Sequence, residues 1–190
     1  MLVDAGLDSS GTAILRELRS EDVSADAVQA VLITHGHPDH YSAAGRFRKA
    51  VVLLGAGDLA MVRGDPSHYS TFGKMMAKVM PRPPVPVVTT TLRGGEQLEF
   101  DGARFDVIAT PGHSPGSVMY LYKDVLFSGD SLMRKKDRVA IAPSLFSEDA
   151  AQNRASLQKL GLLAFEKLAD GHTGVTSDAR AKLRRFLAGT

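Results

Sequence analysis

Residues 34–40 read "THGHPDH", and three of the chain's six histidines fall in this stretch together with one aspartate. Side chains two apart in an extended segment point the same way. His35 and His37 can therefore grip one cation together. Gly36 lets the backbone come close, and Pro38 turns the chain. After that turn Asp39 and His40 face another direction, where a second cation fits beside the first. Neutral imidazole and carboxylate are good ligands for zinc and for other divalent transition metals. A lone histidine in a loop is usually a cap or a core residue, but ligand-type residues in HxHxDH spacing point to a metal site.

Three more candidates share one context. His113 lies in "TPGHSPGS" after the expected strand "RFDVIA", His172 in "ADGHTG" after "FEKLA", and Asp130 at the end of "LFSGD". Each follows a strand end and sits close to glycine, so the loops can converge at one edge of the sheets. Of the histidines, only His68 is left over.

The rest of the chain sets the frame. Its 190 residues suit one domain, taken as 1–190, with a sizeable core. Apolar residues make up 44% and charged residues 23%, as in ordinary globular proteins. There is no apolar run of membrane-spanning length and no signal peptide in "MLVDAGLDSSG", so a cytoplasmic protein without a membrane partner is expected. The absence of cysteine excludes disulfides and thiolate metal sites. A net charge of +2 gives no reason to expect nucleic acid, and the basic clusters "MRKKDR" and "ARAKLRR" read as solvated faces.

Periodicity predicts a strand at "LVDAG", a serine-capped helix in "SSGTAILRELRS" and buried strands at "QAVLI" and "VVLLG". "YSAAGRFRKA" is expected to continue as helix after the histidine motif. Strands follow around "TTTLRGGEQLEF", "ARFDVIAT", "SVMYLYK", "VLFSG" and "RVAIAP". A helix over 147–163 with Ser147 as cap, a strand at "FEKLA" and a closing helix ending at Gly189 complete the chain. Sheets covered by helices are the expected outcome.

The order "LVDAG … THGHPDH … TPGHSPGS … LFSGD … DGH" resembles the metallo-β-lactamase-fold hydrolase superfamily from residue 2 to about residue 175. The resemblance implies an α/β chain folded as a four-layer αββα sandwich, here with the family's N-terminal strands missing. It places one metal on His35, His37 and His113 and another on Asp39, His40 and His172, with Asp130 bridging and Asp4 supporting the ligands from behind. It implies two divalent ions, zinc first, with iron or manganese as alternatives. Such a pair makes hydroxide available at neutral pH to attack a carbonyl or phosphoryl centre. Asp39 is then also a catalytic residue, accepting a hydrogen bond from the nucleophile and aiming it.

The expected reaction is hydrolysis of an ester, thioester, lactone or phosphodiester in a small-molecule substrate. True β-lactamases of this fold lack the bridging aspartate that Asp130 matches. The glyoxalase II type carries a helical extension after the last histidine that this sequence does not show, and the lactonase type has tyrosine where Met133 stands. The main alternative is a persulfide dioxygenase with one iron at His35, His113 and Asp130, and a further one is a non-catalytic metal-binding or regulatory member. The stretch 66–80 places His68, Phe72, Met75, Met76, Val79 and Met80 at helical spacing. It reads either as a substrate-covering element, for which flexible methionines are suited, or as a helix packed on the body or on a second subunit. Because the strand at "LVDAG" would lack its usual neighbour, a homodimer burying that edge or segment 72–80 is also expected.

Overall fold

In a computed structural model of the chain, residues 1–65, 73–75, 78 and 83–189 are described. Of the stretch 66–80, residues 73–75 and 78 are helical and Met75 is exposed, while His68, Phe72, Met76, Val79 and Met80 lie outside the described residues.

Two sheets form the centre. The first has four parallel strands in sequence order: β1 (Leu2–Val3), β2 (Ala30–Leu32), β3 (Val51–Gly55) and β4 (Thr90–Leu92). The second has six strands in the order β12-β11-β8-β7-β6-β5. These are β5 (Gln97–Phe100), β6 (Ala103–Ala109), β7 (Val118–Tyr122), β8 (Val125–Gly129), β11 (Lys167–Asp170) and β12 (Gly174–Thr176). The β8–β11 pair is parallel and the other pairs are antiparallel. A separate hairpin joins β9 (Met133–Lys135) to β10 (Arg138–Ala140). The helices are α1 (Thr12–Ser20), α2 (Pro38–Tyr41), α3 (Leu59–Val62), α4 (Ala150–Leu157) and α5 (Ala179–Ala188).

Three apolar clusters separate four layers, and strand alternation assigns residues to them. Ala30 and Leu32 of β2 and Leu53 of β3 meet Val107, Val118 and Tyr120 of the second sheet in the middle core. The alternate residues Val31, Val52 and Leu54, with Ile33 next to β2, face the other way, onto Ile14, Leu15 and Leu18 of α1. Met119 and Leu126, from the outer face of the second sheet, pack with Leu157 of α4 and Leu183 of α5. This is the expected αββα sandwich. Tyr120 Oη donates to the carbonyl of Ile33 at 2.8 Å and the Val118 amide donates to Thr34 O at 2.8 Å, stitching the two sheets where the histidine motif begins. Burial pushes the Tyr120 hydroxyl well above its usual pKa, so it remains a donor.

Several local expectations are corrected. The helix after the histidine motif is only α2, with a single further turn at 44–46. The Ser42 amide is shared between Pro38 O and Gly6 O, whereas the Ala43 amide donates to Ala5 O and His40 O accepts from the Ala5 amide, so tertiary bonds to the loop after β1 take the next groups that would have extended the helix. The cap of α4 is Asp149 rather than Ser147: its side chain accepts from the Gln152 amide at 2.8 Å. At α1 the residue in capping position is Gly11, and Asp8 and Ser10 accept from the Thr12 amide. "MRKKDR" contributes β9 and half of a hairpin, and "TGVTS" contributes β12; neither was expected as a strand. β4 and β5, which lie in one continuous stretch, belong to different sheets. Among the described residues β1 pairs only with β2, leaving its other side without a strand.

Asp149 also ties α4 to the candidate site, because its amide donates to Gly112 O at 2.8 Å while the Glu148 amide donates to His113 O at 3.0 Å. Asp149→Ala is expected to lower stability by about 1 kcal/mol through loss of the cap, read from the denaturant midpoint. An unchanged midpoint would show that the cap contributes nothing.

Candidate metal centre

His35 follows β2, and the 34–37 segment is bent rather than extended. His35 and His37 still converge, but through different nitrogens. His35 Nε2, His37 Nδ1 and His113 Nε2 form a triangle with all three sides 3.1 Å. Their rings meet nearly edge to face, at 83° in each pair. His35 and His113 are buried. A ring nitrogen either donates or accepts, so three that converge in this way cannot all satisfy one another. Burial, with repulsion from the neighbouring imidazoles, holds His35 and His113 well below the ordinary histidine pKa, and burial lowers His37 to about 4. The rings are therefore neutral, and with their protons on the outer nitrogens they would present lone pairs to one point. Four-coordinate zinc with bonds of about 2.0–2.1 Å sets its nitrogens about 3.3 Å apart, close to the observed spacing.

The second group lies beside the first. His40 and Asp39 come from the first turn of α2, Asp130 follows β8 and His172 follows β11. Asp130 Oδ1 faces His40 Nε2 at 3.5 Å, while Oδ2 lies 3.1 Å from His172 Nε2 and 3.9 Å from His113 Nε2. Asp39 Oδ2 lies 3.5 Å from His172 Nε2 and 3.8 Å from His40 Nε2. His40 Nε2 and Asp130 Oδ1 are buried without a hydrogen-bond partner. Buried polar atoms are ordinarily satisfied, so two orphans facing each other fit a cation held between them. His35, His37 and His113 can hold one ion, and Asp39, His40 and His172 another; His35, His40 and Asp130 also lie close enough to share one. The Asp39 and His172 side chains are 37% and 42% exposed, which makes their side the open one.

Asp4 supports this group. Its Oδ2 accepts from His40 Nδ1 at 2.8 Å and from Thr34 Oγ1 at 2.9 Å, and its Oδ1 accepts from the Thr34 amide at 2.7 Å. With its Nδ1 proton hydrogen-bonded to Asp4, the ring directs Nε2 toward Asp130, and a metal bound there would displace the proton on Nε2. Burial opposes protonation of His40, but Asp4 and then Asp130 and Asp39 outweigh it and raise its pKa to about 9. Burial also raises the Asp130 carboxyl, although His40 and His172 pull it down.

Three supporting residues escaped the sequence reading. Asp58, fully buried, accepts from the Gly36 amide at 2.7 Å, the Gly116 amide at 2.6 Å and Ser114 Oγ at 2.5 Å. It thus joins the loop of His35 and His37 to the loop of His113. Ser147, expected as a helix cap, instead places Oγ 3.4 Å from His113 Nδ1. Asp170 accepts from the amides of His172 at 2.9 Å and Thr173 at 2.6 Å, fixing the last turn. "AGD" and "ADGH" carry no periodic signal for these contacts, since each partner is distant in sequence or is a backbone amide. Gly171 has a visible reason: a Cβ there would lie 2.5 Å from His40 Cε1 and 2.6 Å from Asp130 Oδ1.

The fold and this constellation define a class. The metallo-beta-lactamase superfamily model matches residues 1–172, and the chain belongs to that superfamily. Among individual relatives, a hydroxyacylglutathione hydrolase of Photobacterium profundum is 30% identical over 166 residues, 87% of this chain and 53% of the relative. The chain thus spans about half the length of such curated relatives. The probable metallo-hydrolase YflN of Bacillus subtilis is 26% identical, covering 90% of this chain and 74% of that protein. The structure is also similar to the BLEG-1 B3 metallo-beta-lactamase, with TM-score 0.77 and 28% identity over 99% of this chain and 88% of that one.

Two substitutions test the architecture. An amide at position 58 offers one acceptor oxygen to donors that now share two, so Asp58→Asn should orphan a buried donor, at about 1–3 kcal/mol, and weaken metal uptake by the three-histidine group. Full metal content with an unchanged unfolding midpoint would refute that role. Gly171→Ala should displace His40 or Asp130 and lower metal content in the second group, read by elemental analysis against the parent chain.

Proposed function

We propose that the chain is a metal-dependent hydrolase of thioesters or related carboxylic esters in small molecules, using two divalent ions, zinc first. The observation that carries this reading is Asp130, whose two oxygens face both histidine groups while one of them has no hydrogen-bond partner. The similarity to hydroxyacylglutathione hydrolases supports the thioester class. His35, His37 and His113 would hold one ion and Asp39, His40 and His172 the other, with Asp130 between them. When bound, such ions polarise a carbonyl oxygen and bring the pKa of water toward about 7.

The chain's own residues supply the rest. Asp4 keeps the His40 proton on Nδ1, so that Nε2 is available as a donor atom. Asp39, partly exposed at the open side, is placed to accept a proton from an incoming water and to orient it. Asp58 and Asp170 hold the backbone of the ligand loops, so that the groups meet substrate without rearrangement. We place the chain outside membranes; no helix among the described residues is long and apolar enough to cross one.

Elemental analysis of protein purified without chelator is expected to give about two divalent ions per chain, and chelation should abolish thioester hydrolysis. Asp130→Asn should remove most of that activity and lower metal content toward one ion, because an amide is a poorer bridge than a carboxylate. One tightly held iron with oxygen consumption on a persulfide would overturn the hydrolase reading. A chromogenic cephalosporin is expected to be cleaved poorly; efficient turnover would move the substrate class to β-lactams.

A further inference from the structure

The two basic stretches expected as solvated faces are neighbours in the fold. In the β9–β10 hairpin Lys135 stands directly opposite Arg138, and Lys136 occupies the turn with φ 61°. All three are exposed, and the ion pairs made by lysine or arginine among the described residues are Lys49–Asp26 and Lys167–Asp124, elsewhere. Helix α5, which carries the second basic stretch, packs against β10. Like charges directly opposite each other on a ladder are destabilising. Asp137 in the turn is the hairpin's one acidic side chain, and it makes no ion pair with these cations, so the tip keeps a net positive charge.

The hairpin is tied to the open side of the candidate metal centre. It begins three residues after Asp130. The Arg134 amide donates to Asp170 Oδ2 at 3.0 Å, and Arg134 Nη2 donates to Thr173 O at 2.6 Å. Asp170 is the residue that fixes the His172 turn. Arg134 therefore fixes the hairpin beside His172; by strand alternation Arg134 and the buried Val139 share the face turned to the body, and Lys135 and Arg138 share the solvent face of the same hairpin.

We infer that the hairpin 133–140 binds the phosphate-bearing part of the substrate. The inference rests on the proposed hydrolysis and names its substrate class: a thioester whose thiol carrier bears phosphate. Directly opposed residues on a ladder have Cβ atoms about 4.5–5.5 Å apart, so Lys135 and Arg138 can reach one group together. A singly charged carboxylate leaves such a cluster largely uncompensated. A phosphate or pyrophosphate matches it in charge and accepts bidentate and point-charge donors at once. The same field would concentrate an anionic substrate at the mouth of the site.

The test compares the metal-loaded parent chain with Lys135→Glu/Arg138→Glu and with Lys135→Gln/Arg138→Gln, each checked for an unaltered thermal transition. Desulfo-coenzyme A is the binding probe because it keeps the phosphates and lacks a thiol that could bind metal. Titration calorimetry should show binding that weakens with added salt and weakens at least fivefold in the glutamate variant, with the glutamine variant between. The ratio of kcat/KM for acetyl-coenzyme A to that for the uncharged S-acetyl-N-acetylcysteamine should fall at least fivefold in the glutamate variant, through KM. Unchanged probe binding and an unchanged ratio would overturn the inference while leaving the hydrolase reading standing. Charge-dependent probe binding without cleavage of either thioester would sustain the surface and overturn the reaction. Equal occupancy by inorganic pyrophosphate would assign the surface to free phosphate, and tighter binding of a duplex oligonucleotide would assign it to nucleic acid; either would overturn the substrate assignment.

Discussion

The candidate site depends on keeping several imidazoles neutral, buried and pointed at one another. His35, His37 and His113 bring ring nitrogens within 3.1 Å, and no placing of their protons bonds all three mutually. Left alone, such rings would rotate apart or admit water. They are held by what lies behind them: Thr34 beside His35, Ser147 beside His113, and Asp58 joining the backbone of both loops. The surrounding packing can be read as a solution to this one constraint. Two sheets bring strand ends to a common edge, and buried carboxylates lock the loops that leave them.

The supporting carboxylates act in different ways. Asp4 bonds to a ligand-type side chain directly and decides which nitrogen of His40 carries the proton. Asp58 accepts from the Gly36 and Gly116 amides and from Ser114 Oγ, and so fixes the backbone of the two ligand loops. Asp170 does the same for the His172 turn and also receives the hairpin that starts just after Asp130. The second group is thus coupled to the basic hairpin through one carboxylate, whereas the three-histidine group is set in the interior. This asymmetry, with Asp39 and His172 partly exposed and His35 and His113 buried, gives the site one side from which a substrate can enter.

Much of this was legible in the sequence. Short apolar runs in 29–33 and 51–55 and the apolar-rich 117–122 announced buried strands, and strand alternation distributes their side chains among the three cores. The candidate ligands His35, His37, Asp39, His40, His113, Asp130 and His172 were visible because ligand chemistry recurred in a fixed context, at a strand end beside glycine. Asp4 was visible only through the family resemblance, and the structure places it on His40.

The tertiary structure decided what local pattern does not encode. The helix expected after Tyr41 stops because the Ala43 amide donates to Ala5 O and His40 O accepts from the Ala5 amide, a competition no window of sequence displays. "TTTLRGGEQLEF" reads as one β-rich stretch, yet its two strands belong to different sheets, since pairing is chosen by distant partners. Asp58, Ser147 and Asp170 look like ordinary loop or cap residues until the fold brings backbone amides or a ring nitrogen to them. The basic stretches 133–138 and 179–185 look like solvated surface until β10 packs against α5 beside the last histidine turn. Residue chemistry and strand period are local properties, so sequence alone determined them. Which groups face one another depends on contacts between residues far apart in the chain, and only the folded structure decided those.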